Sequence, residues 1–231
     1  MILKKWEDLP SEFKSDEVKR YYDILKKKKF SLFLKRFFDI LVSIIILVIA
    51  FPFFVILAIL IKIDSRGPVF YRQERITRYN TKFRIFKFRT MVDGADKKGA
   101  LITGKNDMRI TRVGKLMRKL RLDEVSQVID VLRGKMSFVG TRPEIPKYVE
   151  KYTPEMYATL LLPAGVTSLA SIKYKDEDEI LEKYKGEDVD KVYIEKILPD
   201  KMKYNLEAIE NFGFIKEIGI MFKTVIAVFK R

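Results

Sequence analysis

The sequence predicts an α+β fold, mainly helical: a membrane-embedded re-entrant helix hairpin carrying a cytosolic globular domain with a short β-hairpin and interfacial amphipathic helices. Three observations predict it. Residues 40–61, ILVSIIILVIAFPFFVILAILI, carry no charge and only Ser43 as a polar side chain. Residues 68–71 and 82–89 read as two short strands, the second with Phe83 and Ile85 alternating against Arg84, Lys87 and Arg89. Helical patterns occupy much of the C-terminal third. The chain divides accordingly into a helical extension (1–34), the membrane segment (35–63) and a domain on the cytosolic face (64–231).

The extension is charged and polar, with a helical look from Ser11 to about Lys28. Ser11 suits a cap, and Tyr22, Ile24 and Leu25 offer a modest apolar face. It reads as a solvated or membrane-surface helix. As a helix, residues 40–61 would run about 33 Å, enough to cross a bilayer core. The run begins too far in for a signal peptide, and no small-residue cleavage pattern comes after it. Cations flank both ends: Lys26 to Lys29, Lys35 and Arg36 before, then Lys62, Arg66, Arg72 and Arg75. The positive-inside rule puts both flanks in the cytoplasm. Pro52 sits mid-run, where it leaves the Val48 carbonyl without its helical donor. These facts fit a hairpin broken at Pro52, and a kinked transmembrane helix remains the alternative.

Beyond the strands, a polar loop spans about Asp93 to Asp107. Two helices come next, Val113 to Leu120 and Glu124 to Leu132, the second closed by Gly134 and carrying Val125, Val128, Ile129 and Leu132 on one face. The segment Ile215–Phe229 has a broad apolar face interrupted by lysines; it reads as a core helix or, preferably, one lying on lipid headgroups.

Composition narrows the chemistry. The 231 residues include no cysteine and no histidine. That excludes disulfides, thiolate catalysis and the commonest zinc ligands and general base. Carboxylates, hydroxyls and amines remain, with a hard cation such as Mg²⁺ as the suitable metal. A net charge of +15 calls for an anionic partner. The apolar run turns that expectation away from nucleic acid.

In Arg118-Lys119-Leu120-Arg121-Leu122-Asp123-Glu124-Val125-Ser126-Gln127 two carboxylates stand directly after a basic stretch. A helix start alone would welcome them. Yet Arg84, Lys87, Arg89, Arg109, Arg112, Lys115, Arg118, Lys119, Arg121 and then Arg142 crowd the same region, and guanidinium forks suit phosphate oxygens. A basic pocket beside a bilayer with adjacent acids suits a reaction on a phosphorylated lipid or a nucleotide. There an aspartate can attack phosphorus without a histidine.

Several motifs occur in order: Lys35-Arg36-x-x-Asp39, an apolar run with a central proline, Gly67-Pro68-Val69, Phe86-Lys87-Phe88-Arg89-Thr90-Met91, Asp107-x-Arg109-Ile110-Thr111-Arg112-x-Gly114, Leu122-Asp123-Glu124-x-x-Gln127 and Met136-Ser137-Phe138-Val139-Gly140-x-Arg142-Pro143. Together they resemble the bacterial sugar transferases, specifically the small monotopic polyprenyl-phosphate glycosyl-1-phosphate transferases. The resemblance covers roughly residues 31–172 and continues weakly beyond. It implies transfer of a sugar-1-phosphate from a UDP-sugar to undecaprenyl phosphate, with release of UMP, as the first membrane step of glycan or exopolysaccharide assembly. It also implies the bacterial inner membrane, cytoplasmic face, as the location. By the same likeness Asp123 is the nucleophile, Glu124 holds Mg²⁺, and Arg118 and Arg142 hold phosphate oxygens. Lys87, Arg89, Asp107 and Arg109 support the pocket, Gln127 and Pro143 complete the motifs, and Pro52 breaks the hairpin. Departures occur at Phe51, where the family has serine, in the glycine-free loop Ile76–Asn80, at Thr141, and at Pro163–Ser168, which lacks an arginine and a glycine. The competing reading is a non-catalytic basic scaffold holding anionic lipid or a partner enzyme.

Overall fold

The structure, a computed structural model, describes residues 1–95, 107–174, 184 and 187–229. Helix α1 (Asp16–Lys27) is capped by Ser15, whose hydroxyl accepts from the Val18 amide at 3.3 Å; Ser11 instead opens a short 3₁₀ turn. Val18, Tyr21, Tyr22 and Leu25, spaced i, i+3, i+4, i+7, are buried. They join a core with Tyr148, Val149, Leu161, Leu198 and Met202. The expectation of a solvated or membrane-surface helix is therefore corrected. The stripe starts at Val18 and excludes Ile24, so a full apolar face was present where a partial one was read.

Helix α2 (Lys29–Asp64) is one 36-residue helix running through Pro52. Lys35 and Asp39 are buried near its start, Leu57 and Ile61 near its end. Val48, Ile49 and Phe51 between them are about two-thirds exposed or more, which marks a surface for lipid rather than water.

Strands β1 (Phe70–Thr77) and β2 (Thr81–Phe88) form an antiparallel hairpin in the register Phe70↔Phe88, Tyr71↔Lys87 and Arg75↔Phe83. The first strand is longer than its sequence signal. The turn between them puts Tyr79 and Asn80 at φ 57°, a left-handed conformation that disfavours ordinary side chains. The amino-terminal segment grips that turn: the Lys4 amide donates to the Tyr79 hydroxyl at 2.8 Å, and the Asn80 side-chain amide to Glu12 at 2.9 Å.

Helix α3 (Arg112–Lys119) is capped by Thr111, which accepts from Gly114 N at 3.0 Å. Gly114 lies so close to the Thr90 carbonyl that a Cβ would sit 2.0 Å from its oxygen. The predicted helix from Glu124 resolves into a 3₁₀ turn (Leu122–Gln127) followed by α4 (Val128–Leu132), with Gly134 at φ +74° closing it. Strands β3 (Met136–Val139) and β4 (Ala164–Thr167) form a parallel pair with no counterpart in the expectations.

Short helices α5 (Pro146–Val149), α6 (Leu169–Lys173) and α7 (Val189–Val192) lead to α8 (Leu198–Glu210) and α9 (Phe214–Phe229). Helix α9 packs on the core along one face and leaves apolar residues exposed on another. Ile220 is buried and Glu217 pairs with Lys35 at 2.8 Å, while Ile215, Phe222, Val225 and Ile226 are exposed. The greater part of the polar loop (96–106) and the charged stretch at 175–178 lie outside the described residues.

Candidate active site

The alternation of β2 builds the site. Phe88 turns into a cluster with Leu57 and Ile61 of α2 and Met117 of α3. Lys87, on the other face, reaches Glu124 at 2.8 Å. The neighbouring Phe86 fastens the strand to the 3₁₀ turn and α4: its amide donates to Asp130 at 2.7 Å, and its carbonyl accepts from Ser126 Oγ at 3.2 Å. Arg121, at φ 54°, bends the chain into that turn and sets Asp123 and Glu124 on its first residues.

The two acids differ sharply in electrostatics. Glu124 accepts from Lys87 Nζ and from both terminal nitrogens of Arg142, one of them at 3.3 Å. Burial pushes its carboxyl up, but Arg142 and Lys87 outweigh that and hold it well below the ordinary range. Asp123 goes the other way. Burial and then the Glu124 charge push it up, against smaller opposing effects from Lys87 and Arg118.

Asp123 lies on the wall of a cavity of about 640 Å³. Lys87, Arg109 and Arg118 also line it, as do Tyr71, Gln73 and Arg75 of β1. Arg118 is oriented by its Nε, which donates to Thr90 Oγ1 at 2.9 Å. Arg109 forms a fork on Asp107, with Nε 2.9 and 3.0 Å from the two oxygens and a terminal nitrogen 2.6 Å from one. Those bonds pull Asp107 down to about 2. Arg89 lines the cavity, but its terminal nitrogens donate to the Ser65 and Arg66 carbonyls at 2.7 Å, fastening the exit of α2. Gly67, at φ +122°, makes room for it: a Cβ there would meet the Arg89 guanidinium at 1.9 Å.

The structure thus brings Asp123, Glu124, Lys87, Arg118, Arg142 and Arg109 together, with Asp107 behind Arg109. It does not bring Gln127, Pro143 or Pro52 to the cavity wall. Gln127 is buried inside the turn, Pro143 is buried with its carbonyl accepting from Arg75 at 3.1 Å, and Pro52 lies in the exposed stretch of α2. Sequence reasoning missed Tyr71, Gln73 and Arg75 as site residues. Their alternate spacing was the available signal, hidden because the strand was ended at residue 71.

Mg²⁺ commonly binds one or two carboxylates and completes its shell with water and substrate phosphates. Asp123 and Glu124 are two adjacent carboxylates of that kind, and no cluster of three or more His, Cys, Asp or Glu occurs among the described residues. One oxygen of Glu124 accepts from Arg142 at 3.3 Å.

An exposed apolar helix beside a cavity walled with arginines marks a membrane-associated protein with a basic cavity. Comparison with known proteins narrows the class. A family pattern described as bacterial sugar transferase matches residues 30–231. Over 197 residues the chain is 36% identical to a UDP-N-acetylgalactosamine-undecaprenyl-phosphate N-acetylgalactosaminephosphotransferase of Aeromonas hydrophila, covering 84% of this chain and 43% of that protein. It is 33% identical over 219 residues to an undecaprenyl-phosphate galactose phosphotransferase of Salmonella typhimurium, covering 88% and 42%. A shorter relative, the exopolysaccharide production protein PSS of Rhizobium leguminosarum bv. phaseoli, is 38% identical over 149 residues, 62% of this chain and 74% of its own. The chain spans less than half the length of the first two. It belongs to the bacterial sugar transferase family.

Proposed function

We propose that this protein is a phosphoglycosyl transferase that moves a sugar-1-phosphate from a UDP-sugar to undecaprenyl phosphate through an aspartyl-phosphosugar intermediate on Asp123. The observation that carries the reading is the position of Asp123: a carboxylate on the wall of a cation-lined cavity, beside the cluster that joins β2 to the membrane helix.

In the first step an oxygen of ionised Asp123 attacks the sugar-bearing phosphorus. An O–P bond forms, the bond to the bridging oxygen breaks, and UMP leaves with the electron pair. In the second step an oxygen of the lipid phosphate attacks the same phosphorus, and the Asp123 carboxylate is released. Neither step needs a proton shuttle, so charge neutralisation and in-line positioning carry the catalysis. Arg118 and Arg109 face the cavity to receive phosphate oxygens. Glu124, gripped by Lys87 and Arg142, keeps its charge and is the residue to hold Mg²⁺. When bound, the metal would neutralise charge on the diphosphate.

The membrane segment works as a re-entrant hairpin in the cytoplasmic leaflet of the inner membrane. Support comes from its contacts. Near one end Arg36 donates to the Val131 and Leu132 carbonyls, and Asp39 accepts from Ser137. Near the other, Leu57 and Ile61 pack on Phe88 and Met117, and Asp64 accepts from Val113 N at 2.9 Å. Both ends rest on one globular body, whereas a straight span would carry them to opposite sides of the bilayer.

The test supplies undecaprenyl phosphate, Mg²⁺ and a panel of UDP-sugars and follows UMP. With one member of the panel the donor alone is expected to release a stoichiometric burst of UMP, and continuous release is expected only once the lipid is present. Absence of UMP with every donor would refute the reading.

A further inference from the structure

We propose that Arg75 is a substrate-binding residue that holds the nucleotide half of the donor, at the end of the cavity away from the membrane helix; this rests on the transferase reading above. The cations around the cavity differ in how they are engaged. Lys87 and Arg142 are paired with Glu124, Arg109 is paired with Asp107, the terminal nitrogens of Arg89 are engaged by two carbonyls, Arg72 and Arg84 donate to each other's carbonyls, and Arg118 donates to Thr90 Oγ1. Arg75 is half-buried on the cavity wall and makes no ion pair among the described residues. Its terminal nitrogens donate to neutral acceptors, Pro143 O at 3.1 Å and Gln73 Oε1 at 2.6 Å, and its buried Nε has no partner.

The nearest balancing acid, Glu144, is already engaged. Its carboxylate accepts from the Tyr193 hydroxyl at 2.6 Å and lies 3.8 Å from Lys201 Nζ. Burial lowers the Arg75 pKa, with Glu144 opposing and Arg142 adding to the effect. A desolvated cation in this position gains from a ligand rich in acceptor oxygens.

The hairpin register says which part of the ligand that is. Phe88 packs edge-on against Phe54 of α2, with ring centres 5.3 Å apart, so this end of the hairpin faces the membrane. Tyr71 pairs with Lys87, and Arg75 lies four residues further towards the turn, about 13 Å along the strand at ~3.3 Å per residue. In the two displacements the departing nucleotide and the incoming lipid phosphate use the same side of phosphorus, opposite Asp123. The polyprenyl tail must leave that point towards the bilayer. The water-soluble nucleoside then takes the other direction, towards Arg75, where ribose hydroxyls and base carbonyls meet the guanidinium.

Consecutive residues keep the two ends in register. Arg142 binds Glu124, the Pro143 carbonyl binds Arg75, and the Glu144 carbonyl accepts from Ile76 N at 2.9 Å.

The experiment compares wild-type protein, Arg75→Met and Arg75→Lys in the full chain, reconstituted in detergent or nanodiscs. It measures KM for the UDP-sugar, KM for undecaprenyl phosphate, and the inhibition constant of UMP. Loss of a charge-assisted hydrogen bond corresponds to about tenfold to a hundredfold. In Arg75→Met the donor KM and the UMP inhibition constant should rise together by that factor, with the lipid KM little changed and Arg75→Lys intermediate. An unchanged UMP constant, whether or not the donor KM rises, overturns the proposal. Should Arg75→Met fail to fold, Arg75→Lys and Gln73→Ala supply the same comparison at smaller amplitude. Wild type without turnover on any UDP-sugar refutes the transferase reading; wild-type turnover with an unmoved UMP constant in the variants refutes only the role of Arg75.

Discussion

Two groups of buried charge differ in how completely they are partnered. At the start of α2, Lys35 donates to both oxygens of Glu217 at 2.9 and 2.8 Å and to the Val139 carbonyl at 2.7 Å. Asp39 accepts from Ser137 Oγ and from the Phe138 amide. Each charge there is met from within the chain, and the cluster holds α2 to β3 and α9. At the cavity, Glu124 is met by two cations, but Asp123 has its carboxyl pushed up by burial and by its neighbour, and Arg75 has no counter-ion among the described residues. Burial raises the Glu217 carboxyl as well, so the contrast lies in the partners: Lys35 and Asp39 are met at short range from within the chain, whereas the buried Nε of Arg75 has none.

The largest effect expected from that difference is at Asp123. Asp123→Asn should lower turnover by about 10³-fold or more while membrane association persists. UMP release and the mass of the intact protein after mixing with donor alone measure it; normal turnover, or a phosphosugar adduct on the variant, would remove Asp123 as nucleophile. Lys35→Met tests the other side of the comparison. It leaves Glu217 buried and unpaired, and should cost about 3–5 kcal/mol in denaturant unfolding of the purified protein. Lys82→Met, at the exposed pair with Glu74, should leave stability nearly unchanged.

The same contrast should show in pH dependence. On the proposed mechanism Asp123 must be ionised to attack, so activity should fall as pH drops through its raised pKa, and the acid limb of kcat/KM should lie above the ordinary aspartate value of about 3.9. Arg118→Met removes a cation that pulls Asp123 down and should move that limb higher. A limb that stays in place would show that Asp123 is not the group titrating. For stability the two acids have opposite signs. The depressed Glu124 stabilises the fold above the ordinary carboxylate range, and that contribution is lost as pH falls through its folded pKa. The raised Asp123 makes the fold less stable as pH rises through its own. The smallest effect is expected from Tyr79→Phe, which removes one exposed hydrogen bond to Lys4 and should cost about 1 kcal/mol or less in thermal unfolding.

Features with a local cause were legible in the sequence. The apolar run, the hairpin, the Gly134 helix end and the acid pair at the start of a short helical segment all depend on neighbouring residues. The β3–β4 pair was not legible. Its strands are four residues each, too short for periodicity, and they meet because Gly140 and Gly165 allow backbones to approach where a Cβ at Gly165 would lie 2.2 Å from Gly140 atoms. The acid pair and Lys87, which lie together in the structure, could be read from motifs and charge. The different employment of Arg89 and Arg75 could not. Whether a guanidinium grips backbone carbonyls or faces a cavity depends on contacts with segments tens of residues away.

The gripped turn at Tyr79 and Asn80 has a practical corollary for protein engineering. Family similarity starts at residue 30, yet Leu9, Phe13, Val18 and Leu25 are interior residues of the domain beyond it. A shortened version cut at that boundary would uncover the apolar surface of Tyr148, Tyr152 and Leu161 and leave a hairpin bend of bulky residues without its clasp. Chimaeras with relatives should therefore exchange the first 29 positions and the 78–80 bend as one unit.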